Sequence, residues 1–148
     1  MWYANMPVDT QSAVIAELKS KLAGVPMFGA EVVEDFVLRV IDSDDQGLPD
    51  SMIIIQPGIT QEEERSPSTV KERVTLNITL ITRLRSFAAD LRKARVDVKV
   101  ALSGNKMGLA TNGVVTAGFQ PETPMPGEGR GWSCHVMPLQ VTYVQQLK

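Results

Sequence analysis

Between Val70 and Ser86 the chain reads VKERVTLNITLITRLRS, with Val74, Leu76, Ile78 and Leu80 at every second position. That period places four apolar side chains on one face of a strand and Thr75, Asn77, Thr79 and Ile81 on the other. No Gly or Pro interrupts the run, so a strand is predicted here. A slip of one residue would turn all four apolar residues to the opposite face, so this strand sets the register of the sheet it joins. Neither this run nor any local motif elsewhere in the chain specifies a reaction.

A length of 148 residues suits a single domain, 1–148, which buries roughly 70% of its unfolded surface. Hydrophobic residues make up 43% and charged residues 22%, which argues against disorder, and an aromatic share of 5% requires an aliphatic core. The net charge of -2 gives no overall attraction to a phosphate backbone, so no specific nucleic-acid site is expected. Cys134 is the only cysteine, which excludes an internal disulfide and fits a reducing compartment. The first ten residues, MWYANMPVDT, lack the basic and apolar regions of a secretory signal. No run approaches the roughly 20 apolar residues of a membrane span, so no membrane partner is expected.

In chain order, an N-terminal arm at 1–8 carries Trp2 and Tyr3, either laid on the domain surface or anchoring a partner. A helix follows from Thr10 to Ala23, with Asp9 or Thr10 as cap and Gly24 as stop; Ile15, Leu18, Leu22 and Val25 form its stripe and Val14 widens it. Alternation from Val32 to Ile41 predicts a strand, and Asp42 to Asp50 a turn. That turn starts like a calcium loop, but Ile53 stands where the bidentate Glu is needed. Met52 to Gln56 predicts a strand buried on both faces. The segment 58–69, GITQEEERSPST, predicts a long mobile loop, since like charges and flanking prolines offer little to pack. A second helix is expected from Ser86 to Ser103, with Phe87, Leu91, Ala94, Val98 and Leu102 facing the core; alternation over 96–102 also fits a strand. Val114 to Gln120 and Trp132 to Gln145 predict two final strands, with a phase change at Met137-Pro138 that suggests a bulge or an edge. The fold class is therefore α+β: a mainly antiparallel sheet with two principal helices packed on one face.

Catalytic, cofactor-binding and metal sites are not indicated. Cys134 and His135 point to opposite faces of a strand, there is no second His, and Gly127, Gly129 and Gly131 lead into a strand, whereas a phosphate cradle leads into a helix. Two charged patches stand out. Glu62, Glu63, Glu64 and Arg65 lie in the 58–69 segment, and Arg83 to Lys99 holds six basic residues, Arg92, Lys93 and Arg95 among them, against two acidic ones. Either patch reads as a solvated face or as a partner contact. Val96 and Val100 form an i,i+4 pair off the core stripe and are candidates for contact with another subunit.

Leu48-Pro49 ahead of Met52-Ile53-Ile54-Ile55, Leu91 with Val98 and Ala101-Leu102 in the second helix, and the C-terminal LQVTY occur in an order that resembles the tail terminator, or tail completion, proteins of tailed bacteriophages. The resemblance covers nearly the whole chain. It implies a non-enzymatic virion protein, assembled in the host cytoplasm, that closes as a hexameric ring on the end of the tail tube, stops its polymerisation and offers a surface to the head connector. Implied partners are further copies of the chain, the tail tube protein, the head-tail connector protein and, where the tail contracts, the sheath, with DNA passing through the ring. A ring of this kind needs two different complementary surfaces, for which the acidic segment and the basic helix are candidates on charge grounds. A head-tail connector or other neck component shares the size and the charge, and a small enzyme is the reading from a third class.

Overall fold

The computed structural model describes residues 6–43, 47–125 and 131–148. Trp2 and Tyr3 lie outside the described residues, as do Asp44, Asp45 and Gln46 of the acidic turn and Gly127 and Gly129.

Helix α1 spans Thr10–Leu22. The Asp9 carboxylate accepts the Ser12 amide N–H at 3.2 Å, which satisfies one of the open donors of the first turn. Val14, Ile15, Leu18 and Leu22 are buried along one stripe, as their spacing requires. Glu17 faces the other way and accepts the amides of Ala110 and Thr111 at 2.8 and 2.9 Å. Burial pushes its carboxyl up, but these bonds and the Thr111 hydroxyl outweigh that and hold it below the ordinary value.

Strands β1 (Val32–Glu34), β2 (Ser51–Arg65), β3 (Thr69–Thr82), β4 (Val114–Phe119), β5 (Thr123–Met125) and β6 (Ser133–Gln146) form one sheet in the order β1-β2-β3-β6-β4, with β5 also on the outer side of β6. Among the described strands only the β1–β2 pairing is parallel. The alternation that opens the chain's logic holds, because Val74, Leu76, Ile78 and Leu80 of β3 are all fully buried. They meet α1 and helix α3 (Phe87–Ala101) in the main core, to which α3 contributes Leu91, Ala94 and Val98, with Leu102 just beyond its end. Residues 96–101 are helical, which excludes the strand alternative there. Phe87 leaves its expected stripe and is half exposed at the helix start.

The predicted strand from Val32 to Ile41 is corrected. Only Val32–Glu34 is strand, and Val37–Asp42 forms a short helix, α2, on the opposite face of the sheet. The Asp35 carboxylate accepts the Phe36 amide at 2.7 Å, and Val37, Val40 and Ile41 then recur at helical spacing over Met52, Ile54, Ile81, Trp132 and Cys134. A run this rich in apolar residues satisfies both periods, and the second face of the sheet chose between them. Met52–Ile55 is accordingly buried on both faces.

The predicted loop at 58–69 is also corrected. Strand β2 continues to Arg65 and β3 begins at Thr69, which leaves Ser66–Ser68 as the turn. The β2 half of this arm, 58–65, is exposed on both faces, so its apolar content is no guide to its structure, whereas Val70 and Val74 of the β3 half are buried. Strand β3 instead finds its order on the far side, where Thr69 to Thr82 pair without a break with Gln146 to Ser133 of β6. Pro57 is tolerated because β1 stops opposite Ile55, which makes the rest of β2 an edge.

No bulge forms at Met137-Pro138 on the β3 side, where the register is continuous. On the other side Pro138 falls between the residues that pair with β5 and those that pair with β4, so its missing N–H is needed by neither strand. The phase change records a switch of core: Cys134 packs under α2, whereas Met137, Leu139, Val141 and Tyr143 pack under α1 and α3.

Candidate functional site

The acidic triplet lies on the outer half of β2, exposed at the far end of the hairpin. Glu62 pairs with Arg65, which holds its carboxyl below the ordinary value, and Glu63 pairs with Arg73 of β3 at 3.2 Å. Glu64 makes no ion pair among the described residues. The base of the arm is tied to α1: Gln11 Nε2 donates to the Thr60 hydroxyl at 3.0 Å and to the Tyr143 hydroxyl at 2.9 Å, and Tyr143 donates to Glu72 at 2.9 Å. The arm is thus a braced three-stranded extension of the sheet, built from β2, β3 and β6.

The basic segment is largely committed within the chain. Arg83 pairs with Asp50 at 3.1 Å and lies over the Trp132 ring, and Lys93 pairs with Asp97 at 2.9 Å. Arg95 and Lys99 both reach Glu122, at 2.7 and 2.5 Å, and His135 Nε2 lies 2.8 Å from the same carboxylate. The hydrogen bond from Arg95 leads the causes that hold the Glu122 carboxyl down at about 2, against the opposing pull of burial. Glu122 thereby fastens the connection between β4 and β5 to α3. Of the six basic residues, Arg85 and Arg92 alone make no ion pair among the described residues. Val96 and Val100 are exposed on the outer side of α3, as their phase requires.

Sequence reasoning missed the sheet edges. Past Ile55 the outer side of β2 has no strand partner among the described residues, and the same holds for the outer side of β4. Each open edge has an irregular register, between Pro57 and Thr60 and again between Glu62 and Glu64 on β2, and between Val114 and Thr116 on β4. Inside each lies an exposed β-branched aliphatic residue, Ile59 at 79% and Val115 at 41%. Proline, glycine and a surface isoleucine in succession were the only traces in the sequence.

Reactive groups are not brought together among the described residues. Cys134 is buried, with its thiol pushed up to about 11 by that burial, and no group of three or more His, Cys, Asp or Glu among the described residues is arranged to hold a metal ion. No described helix is long and apolar enough to cross a membrane.

The fold defines an α+β class in which a mostly antiparallel sheet carries two main helices on one face and a short one on the other. Among solved structures, this chain is similar over 90% of its length to a chain of the virion of a native gene transfer agent (GTA) particle, of which it covers 92%, with a TM-score of 0.63 and 16% identity. No protein-family model matches the chain, and no curated protein matches it.

Proposed function

We propose that the chain is a structural virion protein that closes as a ring, most simply a hexamer, on the end of a tail tube, ends its polymerisation and offers a docking surface to the head connector. The observation that carries this reading is the fold shared, nearly end to end on both sides, with a chain of a GTA virion. The surface supports it: two different open sheet edges on opposite sides of one subunit suit a head-to-tail contact, the kind that closes rings. The partners of such a ring are its own copies, the tube protein and the connector, with sheath added in a contractile tail and DNA passing through the lumen.

Electron microscopy of the purified chain mixed with tail tubes tests this reading. Rings capping tube ends are the expected result. A subunit that stays monomeric by light scattering at high concentration and on tubes would overturn it, and rings that bind the connector but leave tube ends bare would reassign the chain to another part of the neck.

A further inference from the structure

The two open edges lie in the same rows of the sheet. Through β3 and β6, Pro57 is level with Leu76, Leu139 and Phe119, and Glu62 is level with Glu72, Tyr143 and Val114. The layer β2-β3-β6-β4 is therefore four strands wide, antiparallel throughout, and open at both sides. An even number of alternating strands makes β4 run opposite to β2, so β4 of one copy meets β2 of a second copy as an antiparallel pair when the two are joined side by side.

Resting on the ring reading above, we infer that the ring is closed by strand addition: the β4 edge of each copy, Val114–Phe119, pairs with the outer half of β2 in the next copy, bringing Val115 and Ile59 to the same joint. The charge pattern selects this partner. Pairing β2 with a second β2 would gather both Glu62–Glu64 runs into one joint, where like charges repel. Strand β4, VVTAGF, carries no charge at all. Space over the face of the strand is open at Gly118, where an added Cβ would meet nothing within 4 Å, and at the start of the strand Lys106 Nζ donates to the Val114 carbonyl at 3.3 Å. The bulges between Pro57 and Thr60 and between Val114 and Thr116 set one exposed aliphatic residue on each edge, within about three rows of each other, and β2 has a second register shift between Glu62 and Glu64. Bulges and glutamates are the devices that keep an edge from pairing with copies of itself, and an uncharged edge is what they leave admissible.

Thiol crosslinking with a bismaleimide tests the pairing, because both residues are exposed and the native Cys134 is buried. Copies carrying Ile59→Cys are mixed with copies carrying Val115→Cys, at high concentration and on tail tubes. The expected product is a crosslinked dimer in the mixture and none above background in either variant alone; Thr116→Cys replaces the second probe should Val115→Cys fail to fold. A dimer formed by Ile59→Cys alone would overturn the head-to-tail pairing. Rings that cap tubes without any crosslink would overturn this interface and leave the capping role intact, whereas no oligomer in any condition would overturn both.

Discussion

Arg95 donates its Nε–H to Glu122 at 2.7 Å, across the gap between α3 and the strap that joins β4 to β5. Lys99 and His135 complete the set around the same carboxylate. Glu122→Gln keeps the shape and removes the charge, and is expected to cost about 1.5–3 kcal/mol, the range for hydrogen bonds to a charged group. The sign with pH follows from the lowered carboxyl. Its contribution is present above the ordinary value of 4.5 and is lost as pH falls through about 2. Acid unfolding followed by circular dichroism should therefore show a shallower decline for the variant in that window; identical profiles would remove Glu122 from the account.

Leu76 of β3 and Leu91 of α3 meet in the main core, the first fully buried and the second nearly so. Leu76→Ala and Leu91→Ala are each expected to cost about 2–5 kcal/mol, with Leu91→Ala nearer the lower value because its site opens to solvent. Chemical denaturation measures this. A loss under about 0.5 kcal/mol, the range of surface substitutions, would contradict the packing of α3 on β3.

These cores were legible because each rests on a period that one short window contains. Val74 to Leu80 alternate, and Val14 to Leu22 follow the helical stripe, so local pattern and burial agree. The segment around Val37 was not legible, since its choice of helix depends on Ile54, Ile81 and Cys134, which come from three other places in the chain. Glu62–Arg65 was misread for the opposite reason. An exposed edge strand needs only a paired neighbour, and the neighbour's order came from β6, far along the chain. Charge patches were legible as composition but not as surface: Arg95 and Lys93 are candidates for a partner in the sequence, and each already has an acidic partner in the fold.

Tyr143 is fully buried, with its hydroxyl between Gln11 and Glu72, and burial pushes that hydroxyl up to about 12. Tyr143→Phe leaves the ring and removes one of the two links from α1 to the hairpin arm, the one through Gln11, Tyr143 and Glu72, while the bond from Gln11 to Thr60 remains. A loss of about 1 kcal/mol is expected, together with faster amide exchange at the base of the arm, around Thr60 and Glu72. Spectrophotometric titration of the parent chain should show one tyrosine ionising well above the usual range. Unchanged exchange in the variant would mean that the Tyr143 hydroxyl does not brace the arm, which is then held by its β-pairing and the bond from Gln11 to Thr60.

Replacing Glu62, Glu63 and Glu64 together by Ala separates the arm's stability from its selectivity. The two ion pairs lost, to Arg65 and Arg73, are partly or largely exposed. Pairs of that kind contribute about 0–1 kcal/mol each, so thermal unfolding of the isolated subunit should change little. Assembly should change more, because the outer half of β2 keeps its open backbone and loses the charges that repel a second copy of the same edge. The expected outcome is impaired capping of tail tubes together with a new self-associated species, visible as an Ile59→Cys crosslink that the parent background does not form. Normal capping with no such species would show that the glutamates are an ordinary solvated edge and that partner choice lies elsewhere on the subunit.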